Sequence, residues 1–262
     1  MSLLQNKVIV VTGSSSGIGR AIASSCAEHR AIVVLHHLGI PETEEAAKAL
    51  KESLLPVLLD GKTVEHLIIG ADLTSDDAAH TIIGQTVSAF GRIDALVNNA
   101  GICTFSPAAS VTKSILQMHI NVNYTATYLL TQAATQQMIQ QGTGGSIISI
   151  SSITAVMGHS NLTHYAGTKA AVLGMSKSMA VEFGKHNIRY NCILPGTIQT
   201  DMNAAHLAAD GTRELNNALV PLGCLGEPND VAGVAVFLAS NFAKYVNGEQ
   251  ILVDGGAAIN YQ

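Results

Sequence analysis

Tyr165 and Lys169 stand four residues apart in a stretch, residues 151–169 (SSITAVMGHSNLTHYAGTK), that also carries Ser151 and Ser152. On a helix, a pair at that spacing shares one face, about 5–6 Å apart at Cβ. A free phenol, with a pKa of about 10, is almost fully protonated near neutrality. An ammonium beside it favours phenolate and lowers that value. A phenol tuned in this way exchanges a proton with an alcohol oxygen, and a serine hydroxyl at the end of the preceding apolar run, residues 146–150, is placed to hold the same oxygen. A lone Tyr-x-x-x-Lys is equally compatible with one half-buried and one solvated helix residue, so its meaning depends on the elements around it.

Those elements begin with residues 7–12 (KVIVVT), a continuous apolar run of strand length, as expected of a strand covered on both faces. It runs into Gly13-Ser14-Ser15-Ser16-Gly17-Ile18-Gly19 and then an amphipathic helix over 20–29. Strand, glycine turn and helix form the context in which a backbone approaches a pyrophosphate at a helix N-terminus. Gly13 to Gly17 also reads G-x-S-x-G, but a hydrolase elbow needs strands and an oxyanion loop upstream, and only twelve residues precede Gly13. Residues 32–36 read as the second strand, ending in His36-His37-Leu38 without the acid that would bond a ribose 2′-hydroxyl. The missing acid at His37 favours NADP(H) slightly over NAD(H). Adjacent strand residues face opposite ways, so the two histidines are not expected to share a metal, and none is assigned.

A helix over 41–55, a third strand over 64–69, a helix capped by Thr74 and running to 90, and a fourth strand over 93–97 follow. One long helix is expected over 112–141, then a fifth strand over 146–151, a helix over 163–184 and a sixth strand over 188–194. Two short helical pieces over 201–222 read equally as a substrate lid or as a plain surface insertion; a helix to 240 and a last strand over 250–253 close the chain. This alternation predicts a Rossmann-type α/β fold, a single domain over 1–262 on a doubly wound parallel sheet.

Composition agrees. The chain has 262 residues, 47% hydrophobic and 13% charged, with net charge −5, enough for a sizeable core and without the basic footprint of a nucleic-acid or anionic-membrane binder. Its four cysteines (Cys26, Cys103, Cys192, Cys224) show no metal spacing. A reduced, cytoplasmic protein is expected, with neither a signal peptide, a membrane span nor a peroxisomal address at the terminal NYQ.

Taken together, TGSSSGIG (12–19), ADL (71–73), NNAG (98–101), Ser152…Tyr165-x-x-x-Lys169, PGTIQT (195–200) and VDGG (253–256) resemble the short-chain dehydrogenase/reductase family, in its order and over nearly the whole chain. The resemblance implies seven parallel strands in the order 3-2-1-4-5-6-7. It makes Tyr165 the general acid/base, Lys169 the residue that lowers its pKa and holds the nicotinamide ribose, Ser152 the substrate-orienting hydroxyl and Ser151 its structural neighbour. Asn123, rather than Asn121, completes a water relay to Lys169. For the cofactor it implies Gly13, Ser15, Ser16, Gly17, Ile18, Gly19, His37, Asp72, Leu73, Asn99, Ala100, Gly101, Pro195, Gly196, Ile198 and Thr200, beside Tyr165 and Lys169. Arg30 departs from it, standing where a helix-ending glycine is usual, as does Ser16, where many NADP users carry a basic residue.

Within the family, NNAGIC, ISSITAV and LPGTI-x-TD look closest to sugar dehydrogenases of the L-rhamnose type, with a small alcohol, ketone or sugar as substrate and Ser152, His164 and Tyr165 as its contacts. Two alternatives are a general carbonyl reductase and a reductase of 3-oxoacyl groups on acyl carrier protein. An acidic carrier favours basic residues at the site mouth, and residues 138–144 (MIQQGTG) hold none. A non-catalytic dinucleotide-binding regulator is disfavoured by the presence of Ser152, Tyr165 and Lys169 together. The resemblance also implies a homotetramer, built through the helices over 112–141 and 163–184 and the last strand.

Overall fold

The computed structural model describes residues 2–209 and 211–260; Met1, Asp210, Tyr261 and Gln262, and with them the end of the NYQ terminus, lie outside the described residues. Strand β1 (Val8–Val11) is wholly buried, with Ile9 and Val11 packed into one core and Val8 and Val10 into another. Alternate side chains thus enter opposite apolar layers, which is why its sequence is apolar throughout. One layer is built with α1 (Gly17–Glu28) and α9 (Pro228–Ala239), the other with α3 (Ala78–Phe90), α5 (Ala126–Gln141) and α6 (Thr163–Phe183).

The remaining strands are β2 (Ile32–His37), β3 (Val57–Leu59), β4 (Lys62–Val64), β5 (Leu67–Gly70), β6 (Ala95–Asn98), β7 (Gly145–Ile150), β8 (Ile188–Pro195) and β9 (Gln250–Val253). The main sheet is parallel in the order β5-β2-β1-β6-β7-β8-β9. Counted along its own seven strands, that is the expected 3-2-1-4-5-6-7. Short helices α7 (Asp201–Leu207) and α8 (Thr212–Leu219) follow β8, and α2 (Pro41–Ser53) follows β2.

Three local expectations are corrected. The third sheet strand starts at Leu67, not at 64, because Asp60 and Gly61, at φ 48 and 81, make a two-residue hairpin turn that pairs β3 with β4. Thr74 does not cap α3. Its N–H and hydroxyl both donate to Asp72 Oδ1, at 2.9 and 2.8 Å, and the helix opens after Asp77. The long helix is interrupted: α4 (Lys113–His119), capped by Thr112 Oγ1, passes through a π-helical turn, Ile120–Thr125, before α5. The wider turn carries Asn123, which is buried; π turns of this kind occur often at functional sites.

Candidate active site

Parallel strands deliver their carboxyl ends to one edge of the sheet, and ligands of such folds lie outside that edge. A cavity of about 670 Å³ occupies this position. Its floor at one end is the β1–α1 turn. Gly13 has φ 62, and a Cβ on Gly19 would fall 2.3 Å from Gly13 O and 2.4 Å from Asn99 Nδ2, so backbone and side chain pack where only hydrogen fits. Asn99 Nδ2 donates to Thr12 O at 2.8 Å, while Thr12 Oγ1 accepts from the N–H groups of Asn99 and Ala100. Asn99 therefore supports the turn from behind as well as lining the cavity. The first amides of a helix lack intrahelical acceptors and carry its positive dipole end. At α1 the N-cap Ser16 makes no side-chain capping bond. An open glycine turn in front of such a helix end fits the pyrophosphate of a dinucleotide.

The structure brings most of the predicted cofactor residues to this one cavity: Gly13, Ser15, Ser16, Gly17 and Ile18 from the turn; Asp72 and Leu73; Asn99, Ala100 and Gly101; and Pro195, Gly196, Ile198 and Thr200 after β8. Gly19 lies beneath the turn instead. His37 is not among the residues that line the cavity. Its ring turns away, with Nδ1 accepting from Gly39 N–H and in contact with Thr43 Oγ1, while its neighbours His36 and Leu38 line the cavity. Strand alternation explains the shift by one residue. Leu38, also not an acid, takes the cavity side.

At the other end Ser152, Tyr165 and Lys169 share one wall. The Ser152 side chain is close enough to Tyr165 to favour its phenolate, and Ser152 Oγ accepts from Thr154 N–H and Oγ1–H at 3.2 and 3.0 Å. Lys169 Nζ donates to Ile150 O at 2.9 Å and stands 5.6 Å from the centre of the Tyr165 ring. Ser151 Oγ donates to Lys169 O at 2.9 Å, locking the strand end to the helix that carries the pair.

The electrostatics differ from the expectation in one respect. Burial raises the pKa of the Tyr165 phenol, Cys103 adds to the rise, and the Ser152 side chain opposes it. Burial also brings the neighbouring Lys169 amine down to about 8, with Cys103 and Cys192 opposing the fall.

Asn123 lies behind the wall. Its Oδ1 accepts from Ile102 N–H at 2.8 Å and its Nδ2 donates to Ile102 O at 2.9 Å and Thr168 Oγ1 at 3.2 Å. A Cβ on Gly101 would lie 3.1 Å from Asn123 Oδ1 and 3.5 Å from Lys169 Nζ, so the amide and the amine converge on one glycine. Asn121 bonds Gln117 on the exposed side of the helix. His164 is not among the lining residues either. It is buried, its Nε2 donating to Thr104 O at 2.9 Å, its ring edge-on to His119 with centroids 4.4 Å apart. Sequence reasoning missed other residues that line the same cavity: Cys103, Phe105, Met118, Val122, His159 and Leu162. They come from three separate segments and share no spacing that would have marked them. Among the described residues, no three His, Cys, Asp or Glu side chains are grouped to hold a metal, and no helix is long and apolar enough to cross a membrane.

Residues 13–258 match the short-chain alcohol dehydrogenase family whose description reads enoyl-(acyl carrier protein) reductase. The chain belongs to the short-chain dehydrogenase/reductase family. It is 44% identical over 260 residues to an L-rhamnose-1-dehydrogenase of Scheffersomyces stipitis, covering 99% of each chain. To an L-rhamnose 1-dehydrogenase (NAD(P)(+)) of Azotobacter vinelandii it is 43% identical, covering 99% of this chain and 100% of the other. Among solved structures it is similar to a gluconate 5-dehydrogenase of Burkholderia cenocepacia in complex with NADP and tartrate. The TM-score is 0.88 at 28% identity, covering 98% of this chain and 97% of that one. As a member of the family the chain is an NAD(P)-dependent oxidoreductase acting on CH–OH groups.

Proposed function

We propose that this short-chain dehydrogenase oxidises a free aldose, L-rhamnose foremost, at its C1 hydroxyl to the lactone, using NAD+ or NADP+. The convergence of Ser152, Tyr165 and Lys169 on one wall of the cavity, with the glycine cradle at its far end, carries the reaction class. Likeness to L-rhamnose dehydrogenases over 99% of the chain supports the sugar. The nicotinamide ring, when bound, supplies the acceptor for the hydride leaving C1. Tyr165 takes the proton of the C1 hydroxyl, and in the reverse direction gives it back. Ser152 orients the same oxygen through its hydroxyl. Lys169 contributes its positive charge beside the phenol, which favours phenolate when a proton must be drawn off. Asn123 joins it in a water relay and also holds Ile102 in place.

Thr200, Asp201, Met202, Asn203 and Asn216 edge the cavity, which supports a lid role for 200–222. The lack of an acid at His37, and at Leu38 beside it, supports tolerance of a 2′-phosphate. We further propose that the protein is cytoplasmic and works as a homotetramer.

The test is a panel of L-rhamnose, other aldoses, polyols and ketones, each with NAD+ and NADP+, followed by absorbance of the reduced nicotinamide. L-Rhamnose should give the highest kcat/KM, and both dinucleotides should serve. Tyr165→Phe should bind dinucleotide with wild-type affinity and lose at least about a hundred-fold in kcat, the lower range for a proton-transfer group. Near-normal turnover by that variant defeats the acid/base assignment, and a better polyol or ketone substrate defeats the sugar.

A further inference from the structure

We propose that His36 is a positioning residue for the dinucleotide, pinning the glycine turn to the loop that carries Asp72 and Leu73. His36 ends β2 and lines the cavity between these two segments. Its Nε2 lies 2.9 Å from Ala71 O, a pure acceptor, so Nε2 carries the proton. In the neutral ring Nδ1 is then a lone pair, and it accepts from Gly13 N–H at 3.2 Å. One imidazole thus accepts from the turn and donates to the loop, with its tautomer set by its partners. The backbone of the same residue adds to the grip: His36 O accepts from Ser14 N–H at 2.9 Å and from Ser14 Oγ–H at 3.2 Å.

Three polar groups of the β1–α1 turn therefore end on His36. Gly13, at φ 62, gives the turn little conformational resistance of its own. Without the ring, turn and loop are each still held to β2 by backbone bonds, Ser14 N–H to His36 O and Ala71 N–H to His37 O, but among the described residues no side chain ties Gly13 to Ala71. Burial brings the His36 pKa down to about 4, with His37 lowering it further and Ala71 O and Asp72 opposing. The ring therefore stays neutral, as both bonds require. Its contacts lie wholly at the glycine-turn end, away from Ser152 and Tyr165, so it acts on affinity rather than on proton transfer.

The inference rests on the cradle holding a dinucleotide, and the measurement separates the two claims. ADP-ribose, which lacks the nicotinamide, is titrated calorimetrically into wild type and into His36→Ala, His36→Gln and His36→Asn, with folding checked by circular dichroism. His36→Ala should bind ADP-ribose, NAD+ and NADP+ each at least ten-fold more weakly. His36→Gln, whose amide N–H₂ reaches towards Ala71 O, should recover part of the loss, as should His36→Asn through its oxygen towards Gly13 N–H. At saturating dinucleotide, kcat should move less than three-fold. Unchanged ADP-ribose affinity in folded variants, or a loss confined to kcat, overturns the role of His36. If the alanine variant does not fold, the glutamine and asparagine variants decide by the same readouts. Failure of wild type to bind ADP-ribose removes the cradle assignment itself, and this proposal with it.

Discussion

Lys169 is only 5% exposed and keeps a 2.9 Å hydrogen bond to Ile150 O, yet burial brings its pKa from 10.5 down to about 8. The unfolded chain then binds more protons than the folded one between about pH 8 and 10.5. Stability rises with pH wherever that holds, so Lys169 costs the fold most below pH 8 and the cost fades towards 10.5. A shift of this size corresponds to about 3 kcal/mol, less about 1 kcal/mol for the bond to Ile150 O. Lys169→Met should therefore be inactive and yet more stable than wild type at pH 7, by about 2 kcal/mol. Thermal unfolding of both proteins from pH 7 to 10.5 checks the sign: the difference in Tm should shrink steadily across that window. A variant less stable than wild type at pH 7 would mean that the ammonium is stabilised in the pocket by a partner that burial conceals. The grouping of Tyr165, Lys169 and Ser152 on one cavity wall was legible because their spacing is fixed along one helix and one strand end. The upward shift of the phenol was not legible, since burial depends on what the other strands place over it.

At the scale of the element, Arg30 shows how a residue that departs from the family's pattern is accommodated. Helix α1 ends in a Schellman arrangement, with Ala31 N–H donating to Cys26 O at 3.0 Å and Arg30 N–H to Ala27 O at 2.8 Å. That arrangement puts the intervening residue in the left-handed region, and Arg30 sits at φ 70. A side chain there carries strain that glycine avoids. Arg30→Gly should stabilise the protein by about 1 kcal/mol, less the entropy that glycine adds to the unfolded chain. For a chain of this size the rise in Tm is roughly 2 °C; a fall would show that the Arg30 side chain makes a stabilising contact that outweighs its backbone. The same scale explains what the sequence left hidden among the elements. Long apolar or periodic runs announced every strand of the main sheet, whereas β3 and β4 are three residues each and only the Asp60-Gly61 turn marked them. The π turn at 120–125 has no compositional signature, although it positions Asn123 against Ile102. That Leu38 rather than His37 lines the cavity was not legible either, because an apolar run does not say at which residue a strand stops.

For the whole molecule, the proposed tetramer gives opposite signs to one substitution, depending on whether a neighbour is present. The outer face of α6 carries Gly167, Ala170 and Gly174, all exposed, and Val181, 87% exposed. Beside it lies a groove of about 530 Å³ between α5 and α6, edged by Tyr124, Tyr128 and Phe183. Exposed apolar surface of this kind marks contact sites, and small residues on a helix face let a second helix approach closely. Within one chain, a Cβ added at Gly174 meets nothing within 4 Å. In a monomer, Gly174→Gln would then only replace a poor helix former by a good one, stabilising the protein by roughly 0.5–1 kcal/mol. In a tetramer packed through this face the same side chain wedges the subunits apart. Gly174→Gln should therefore lower the mass found by sedimentation velocity from four subunits to two or one, and lower Tm together with it. A raised Tm with unchanged mass would place the subunit contact elsewhere, or show that the chain works alone, because only an unopposed helix gains from losing that glycine.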